Sequence, residues 1–275
     1  MKRVLLFVFT FIMISCSANK GTSTGNPLVS ISMTSSGSAA TVVKSFFHKL
    51  FTLFVPQTVA KAPPPLMSDA NNNSLAISNF WISLGEIEFK YSETVDAGEV
   101  DGSEVEFAGP FAVDMFSNSP DVLASGALIN SDFRRIKYKL SRVSTLPAGA
   151  PNGLSGNAVF INGTVNGNSF TFTTQSEVEM SVAGANLVAA QQSDVLLLQI
   201  KLANLIKKID FSAVTAGAQI NENNKFVSAT ALCPVIDPSA MDIYTCMMEG
   251  FSTEGNLGRD LNGDGEFETS EPTVK

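Results

Sequence analysis

The chain has 275 residues, 44% of them hydrophobic and 16% charged, with a formal net charge of −8. That length allows one large β domain or two smaller ones. The acidic balance excludes a nucleic-acid interface built on clustered Lys and Arg, and with a single histidine, His48, most schemes in which imidazole activates a nucleophile or holds zinc fall away.

The first sixteen residues, MKRVLLFVFTFIMISC, place Lys2 and Arg3 ahead of an apolar run from Val4 to Ile14. The run has signal-peptide length and is too short for a typical transmembrane helix. It closes on Met13-Ile14-Ser15-Cys16, which resembles the bacterial lipobox. That resemblance implies cleavage before Cys16 and lipidation of its thiol and new amino group. The mature chain would then be held to the membrane by lipid, with no transmembrane helix. Ser17 behind the cysteine resembles the pattern of lipoproteins sent to the outer membrane of the bacterial cell envelope. The alternative is an ordinary secretion signal in which Cys16 is incidental. Residues 17–27 begin SANKGTSTGN, small and polar, a flexible tether with a mean span of roughly 18 Å.

Residues 28–72 hold a strand, an amphipathic helix and a Pro-rich linker. LVSISMT alternates with period two, Val29, Ile31 and Met33 sharing a face. TVVKSFFHKLFTLFV, residues 41–55, breaks the pattern. Its polar residues Thr41, Lys44, Ser45, His48, Lys49 and Thr52 fall on one helical stripe, opposite Val42, Val43, Phe46, Phe47, Leu50, Phe51, Phe54 and Val55. Ser38 can cap the start, and Pro56 with APPP stops it. Two fates fit this helix: packing on an open edge or end of the β domain, or lying on the membrane near the anchor.

Residues 73–230 carry the main β signal. In LAISNFWISLGEIEFKY, Phe80, Ile82 and Leu84 share a face, and Ile87, Phe89 and Tyr91 continue out of phase, with Gly85 at the slip; this is how a β-bulge reads in sequence. EVEFAGPFAVDMF alternates around Gly109-Pro110, and FRRIKYKL turns Phe133, Ile136, Tyr138 and Leu140 inward with Arg and Lys between them. AVFINGTVNGNSFTFTT predicts a hairpin, because Asn166-Gly167 suits the positive-φ type I′ turn. EVEMSV and DVLLLQIKL are further strands, the second continuous enough to be buried. Trp81, the one tryptophan, falls opposite Phe80 and Ile82; exposure beside Tyr91 would favour ligand binding, burial plain packing. Many short strands between Gly, Pro, Asn and Ser predict an antiparallel β-sandwich-like domain. DMFSNSPDVLASGALINSDFRRIKYKL and DVLLLQIKLANLIKKIDFS resemble a β-sandwich domain of bacterial surface lipoproteins over residues 73–214. That resemblance implies the fold and no particular activity.

Residues 231–275 are expected to form a short disulfide-pinned tail. With Cys16 taken by lipid, Cys233 and Cys246 are an even pair in an oxidising compartment; two buried free thiols are the alternative. SAMDIYTCMMEG can form a short helix. DLNGDGEFETSE resembles the calcium loop of an EF-hand. Its oxygen ligands would be Asp260, Asn262, Asp264, the carbonyl of Glu266, Glu268 directly or through water, and bidentate Glu271, with Gly265 at the turn. Phe267 takes the apolar position. The alternative is an acidic tail that matches by chance. No helix follows the loop, so a structural ion ordering the tail after Gly255 is expected rather than a switch.

The whole predicts a mainly β, lipid-anchored envelope protein with one N-terminal amphipathic helix and a structural calcium site. Its role would be structural or binding, toward envelope or surface partners, and no catalytic constellation is legible. A carbohydrate- or peptide-binding module is the next reading, and a hydrolase using paired carboxylates the third.

Overall fold

A computed structural model describes residues 28–35, 66–90, 105–116, 121–127, 135–183, 194–259 and 273–274. Cys16, residues 41–55 with His48 where a helix is expected, Tyr91, Phe133 and residues 260–271 where a calcium loop is expected lie outside the described residues.

Among the described residues, the segments read from period-two alternation each contain a strand. In chain order the strands are β1 (Leu28–Ser35), β2 (Leu66–Ser68), β3 (Ser74–Lys90), β4 (Val105–Asp114), β5 (Asp121–Ala127), β6 (Arg135–Leu140), β7 (Val159–Val165), β8 (Asn168–Thr174), β9 (Glu179–Ala183), β10 (Asp194–Ile200), β11 (Ala218–Ile220), β12 (Gly255–Arg259) and β13 (Thr273–Val274). Two helices, α1 (Leu202–Ile206) and α2 (Ile243–Thr253), and a 3-10 turn at Asn152–Leu154 complete the described elements. Among the described residues no helix is long and apolar enough to cross a membrane.

The strands form two sheets. One has the order β13-β12-β10-β1-β5. The other is eight-stranded and built on the long β3, which pairs with β7 and then β6, and also with β2 and β4. The phase slip expected at Gly85 is present as a register shift between Leu84 and Glu86. It returns Ile87 and Phe89 to the inner face already taken by Phe80, Ile82 and Leu84, and all five are buried. Gly109 of β4 lies against this bulge, where a Cβ would stand 2.3 Å from the Leu84 carbonyl oxygen. A second slip, between Ile77 and Asn79, has no glycine on β3 itself, but Gly163 of β7 pairs with Ile77 there, and a Cβ on it would stand 2.3 Å from the Ala76 carbonyl oxygen. The β7–β8 hairpin turns on Asn166 (φ 48°) and Gly167 (φ 85°), as the Asn-Gly pair predicts.

The sheets are not purely antiparallel. β1 runs parallel to β10, from Val29↔Asp194 to Ser35↔Ile200, and β11 runs parallel to β8. Alternation reports which face is buried, not which direction the neighbour runs.

The inner faces meet. Leu198 and Ile200 of β10 share one core with Ile87, Phe89, Ile136 and Tyr138 of the larger sheet. At Gly255 of β12 a Cβ would lie 2.6 Å from Tyr138 Oη, so a side chain there would push the layers apart. More of the inner face is covered by α2, whose Phe251 stacks on Phe80 and meets Phe172 edge-on, and by α1 with the segment after it, whose Phe211 lies 6.0 Å from Phe170. β1, the strands between residues 73 and 230, and β12 therefore join one sandwich-like body. Within residues 231–259, Leu232, Cys233, Ile243, Cys246, Met247 and Phe251 are buried in this core.

On the outer face of β3, β6 and β9 the charges stand in register. Glu86 is paired with Lys139 and Glu88 with Lys137. Lys137 reaches Glu179 at 3.0 Å and Lys139 reaches Glu177 at 3.1 Å. The alternation of Arg and Lys with Ile136, Tyr138 and Leu140 is thus realised, with the apolar set buried inside.

Candidate functional site

Trp81 does face away from Phe80 and Ile82, but it is not exposed. It keeps 8% of its surface and packs with Val143, Leu154 and Phe160 in a satellite core under the residues that follow β6. Gly153 lies directly on the Phe160 ring, where any Cβ would collide with it. The burial argues for packing rather than a binding platform.

Ser83 follows on the same face of β3, fully buried, and its Oγ has no hydrogen-bond partner among the described residues. It sits at a fork in the sheet. Its amide donates to Ala158 ahead of β7, and its carbonyl accepts from Ser141 beyond β6. An unpaired buried hydroxyl destabilises, so Ser83→Ala should stabilise by about 1 kcal/mol. A rise in the thermal midpoint is the expected readout; a fall would mean that the hydroxyl is satisfied.

Cys233 and Cys246 are bonded, with Cα atoms 5.8 Å apart, and both are fully buried. The bond ties the Leu232 segment to α2. Asp242 caps that helix, accepting from the Thr245 amide at 2.7 Å.

Two polar nodes escape a reading of the sequence. The first centres on Glu222. Its Oε1 accepts from Thr174 Oγ1 at 2.8 Å, from the Ser176 amide at 3.2 Å and from the Gln175 amide. Tyr244 Oη lies 2.9 Å from both Thr174 Oγ1 and Ser176 Oγ, and Lys225 Nζ stands over the Tyr244 ring at 5.6 Å. Burial alone would raise the Glu222 pKa. Hydrogen bonds from its own amide, the Thr174 hydroxyl and the Gln175 and Ser176 amides outweigh burial and hold it below the ordinary carboxylate range. A carboxyl held so is an acceptor and not a proton donor near neutrality. The node joins the end of β8, the turn after β11 and α2.

The depressed pKa fixes a sign. Stabilisation from Glu222 is complete above the pKa of its unfolded state and is lost as pH falls through the folded-state value. The stability difference between wild type and Glu222→Gln should shrink steadily as pH is lowered from 7 to 3. Denaturant midpoints across that range test it, and a constant difference would refute the assignment.

The second node is Asp69, 4% exposed. Oδ1 accepts from the amides of Asn71 and Asn73, each at 2.8 Å, and Oδ2 accepts from Asn73 Nδ2 at 2.7 Å and the Phe211 amide at 2.8 Å. Asn73 Oδ1 in turn accepts from Asn166 Nδ2 at 2.7 Å, and Asn166 Oδ1 from the Ser74 amide at 2.9 Å. These contacts bind the β2–β3 turn, the β7–β8 turn and the segment after α1. Both nodes spend their polar atoms on protein donors and hold loops together.

The predicted calcium ligands Asp260, Asn262, Asp264, Glu266, Glu268 and Glu271 lie outside the described residues, as does Cys16. Both flanks of the loop are described. β12 and β13 pair antiparallel through Leu257↔Val274 and Gly258↔Thr273. Among the described residues no group of three or more His, Cys, Asp or Glu is placed to hold a metal ion. Comparison of the chain with protein-family models, with curated proteins and with solved structures found no match.

Proposed function

We propose that this chain is a lipid-anchored protein of the bacterial outer membrane, held through Cys16, with a structural or binding role and one structural calcium ion in its 260–271 loop. One observation carries the calcium reading. The ligand-spaced residues fall between two strands that pair with each other, β12 and β13. In such a loop the first and twelfth positions ligate the same ion, so its ends must be held close. Here a strand pair supplies that closure in place of flanking helices. Support for a non-catalytic role comes from the two polar nodes, whose carboxylates are engaged by backbone amides and hydroxyls. Burial of Trp81 weighs against the carbohydrate- or peptide-binding alternative.

The effect of calcium is then not confined to a loose tail. β12 also pairs with β10, so the ion would steady β13 on the edge of a sheet. Calorimetric titration of the mature protein should give one site, and Glu271→Gln should weaken it at least tenfold, about 1.4 kcal/mol. Equal heats for both proteins, or none at millimolar calcium, would overturn the site. Anchoring is tested separately. Cys16→Ser should leave the protein unprocessed or soluble, and a variant that still partitions with membranes at mature size would shift the anchor to residues 41–55.

A further inference from the structure

We infer that the end of the sandwich at which β1 begins faces the lipid surface, and that the end built by the Asp69–Asn73 and Asn166-Gly167 turns is presented away from it. This rests on the anchoring reading above; the direction itself comes from strand order. Residues 17–27 alone separate Cys16 from Leu28. Fully extended they reach about 40 Å, and as a flexible coil about 18 Å. β1 is no frayed edge strand. It lies between β10 and β5, in register with both from its first residues, Leu28↔Ala127 and Val29↔Asp194. The tether therefore enters the fold at a fixed point.

The ladders show what shares that end. β5 finishes there at Ala127 and β10 starts there at Asp194. β12, antiparallel to β10, finishes there at Arg259, opposite Leu196. Two connections, residues 128–134 and 184–193, lead from it to Arg135 and Ala183 of the larger sheet. Arg135 and Ala183 pair with each other, and Arg135 also pairs with Lys90, the last residue of β3. The ends of both sheets thus belong together.

The opposite end is remote. Gly255, at the far end of β12, already lies against Tyr138, which pairs with Ile87. From Ile87 back to Ser74, β3 runs a further distance of roughly 40 Å at 3.3 Å per residue. At Ser74 it meets the two turns. Asn71, Asn72 and Asn166 are exposed there, and the inferred orientation turns them away from the lipid.

The test uses the full lipidated protein in vesicles of phosphatidylethanolamine and phosphatidylglycerol containing a headgroup-labelled energy acceptor. Cys16 carries lipid and Cys233 is bonded to Cys246, so one introduced cysteine is the sole free thiol. Ser181→Cys marks the near end and Asn168→Cys the far end; both positions are exposed in strands. Energy transfer to the lipid acceptor should be at least twofold greater from position 181. Equal transfer, or more from position 168, in protein that floats with the vesicles overturns the orientation and leaves the anchor standing. Protein that does not float with the vesicles overturns the anchor, and the orientation with it.

Discussion

Phe251→Ala should lower the free energy of unfolding by about 3–5 kcal/mol, read as a shifted denaturant midpoint at unchanged slope. Phe251 keeps 1% of its surface. Its ring lies 6.1 Å from Phe80 at an interplanar angle of 18° and 6.2 Å from Phe172 at 68°. It is the point at which α2 enters the inner face of the larger sheet, touching β3 and β8 together. Gly250 beside it lets Leu205 of α1 approach so closely that a Cβ would clash, so the surrounding side chains have little freedom to collapse into the space left behind. A loss below about 1 kcal/mol would mean that the helix contributes little to the core.

Removal of the disulfide should have the next largest effect. The bond closes a sequence separation of 13 residues, which in the chain-entropy model stabilises by about 3 kcal/mol. The double variant Cys233→Ala/Cys246→Ala should show that loss against the oxidised protein, and a thiol count on unfolded, unreduced protein should find neither cysteine free. Two labelled thiols, or equal stability, would sink this prediction. Cys246 and Phe251 stand on the same helix. Combining the two changes should therefore give a total that departs from the sum, because each loosens the element the other needs.

The sequence was most informative where physical chemistry is local. Gly85 announces its bulge because a phase slip in a period-two pattern is visible along the chain. Asn166-Gly167 announces its turn because few pairs tolerate consecutive positive φ values. Other features depend on partners far away in sequence. GNLGR, with its two glycines, has little strand propensity of its own, yet it is β12 because β10 offers it an edge. The Asp69 node draws on Phe211 and the Glu222 node on Thr174 and Tyr244. One faint signal existed. Thr174 continues the inward phase of Phe170 and Phe172 on β8, and a hydroxyl at a core position calls for a partner. The antiparallel expectation met two parallel pairs for the related reason that a strand's own sequence does not encode its neighbour's direction.

The parallel pairing of β1 with β10 also constrains the order of assembly. The first described strand sits inside a sheet, one place from its edge, and the members beyond it, β10 and β12, come from the final third of the chain. As the polypeptide is made, β1 can meet β5 early, but its other edge has nothing to pair with until Asp194–Ile200 has appeared, and β10 in turn waits for Gly255–Arg259. Such a topology folds slowly, since distant loops must close before their contacts reward closure, and it leaves apolar strand edges open in the interval. A nascent chain stopped before Gly255 should keep the β7–β8 hairpin but leave β10 without its outer neighbour.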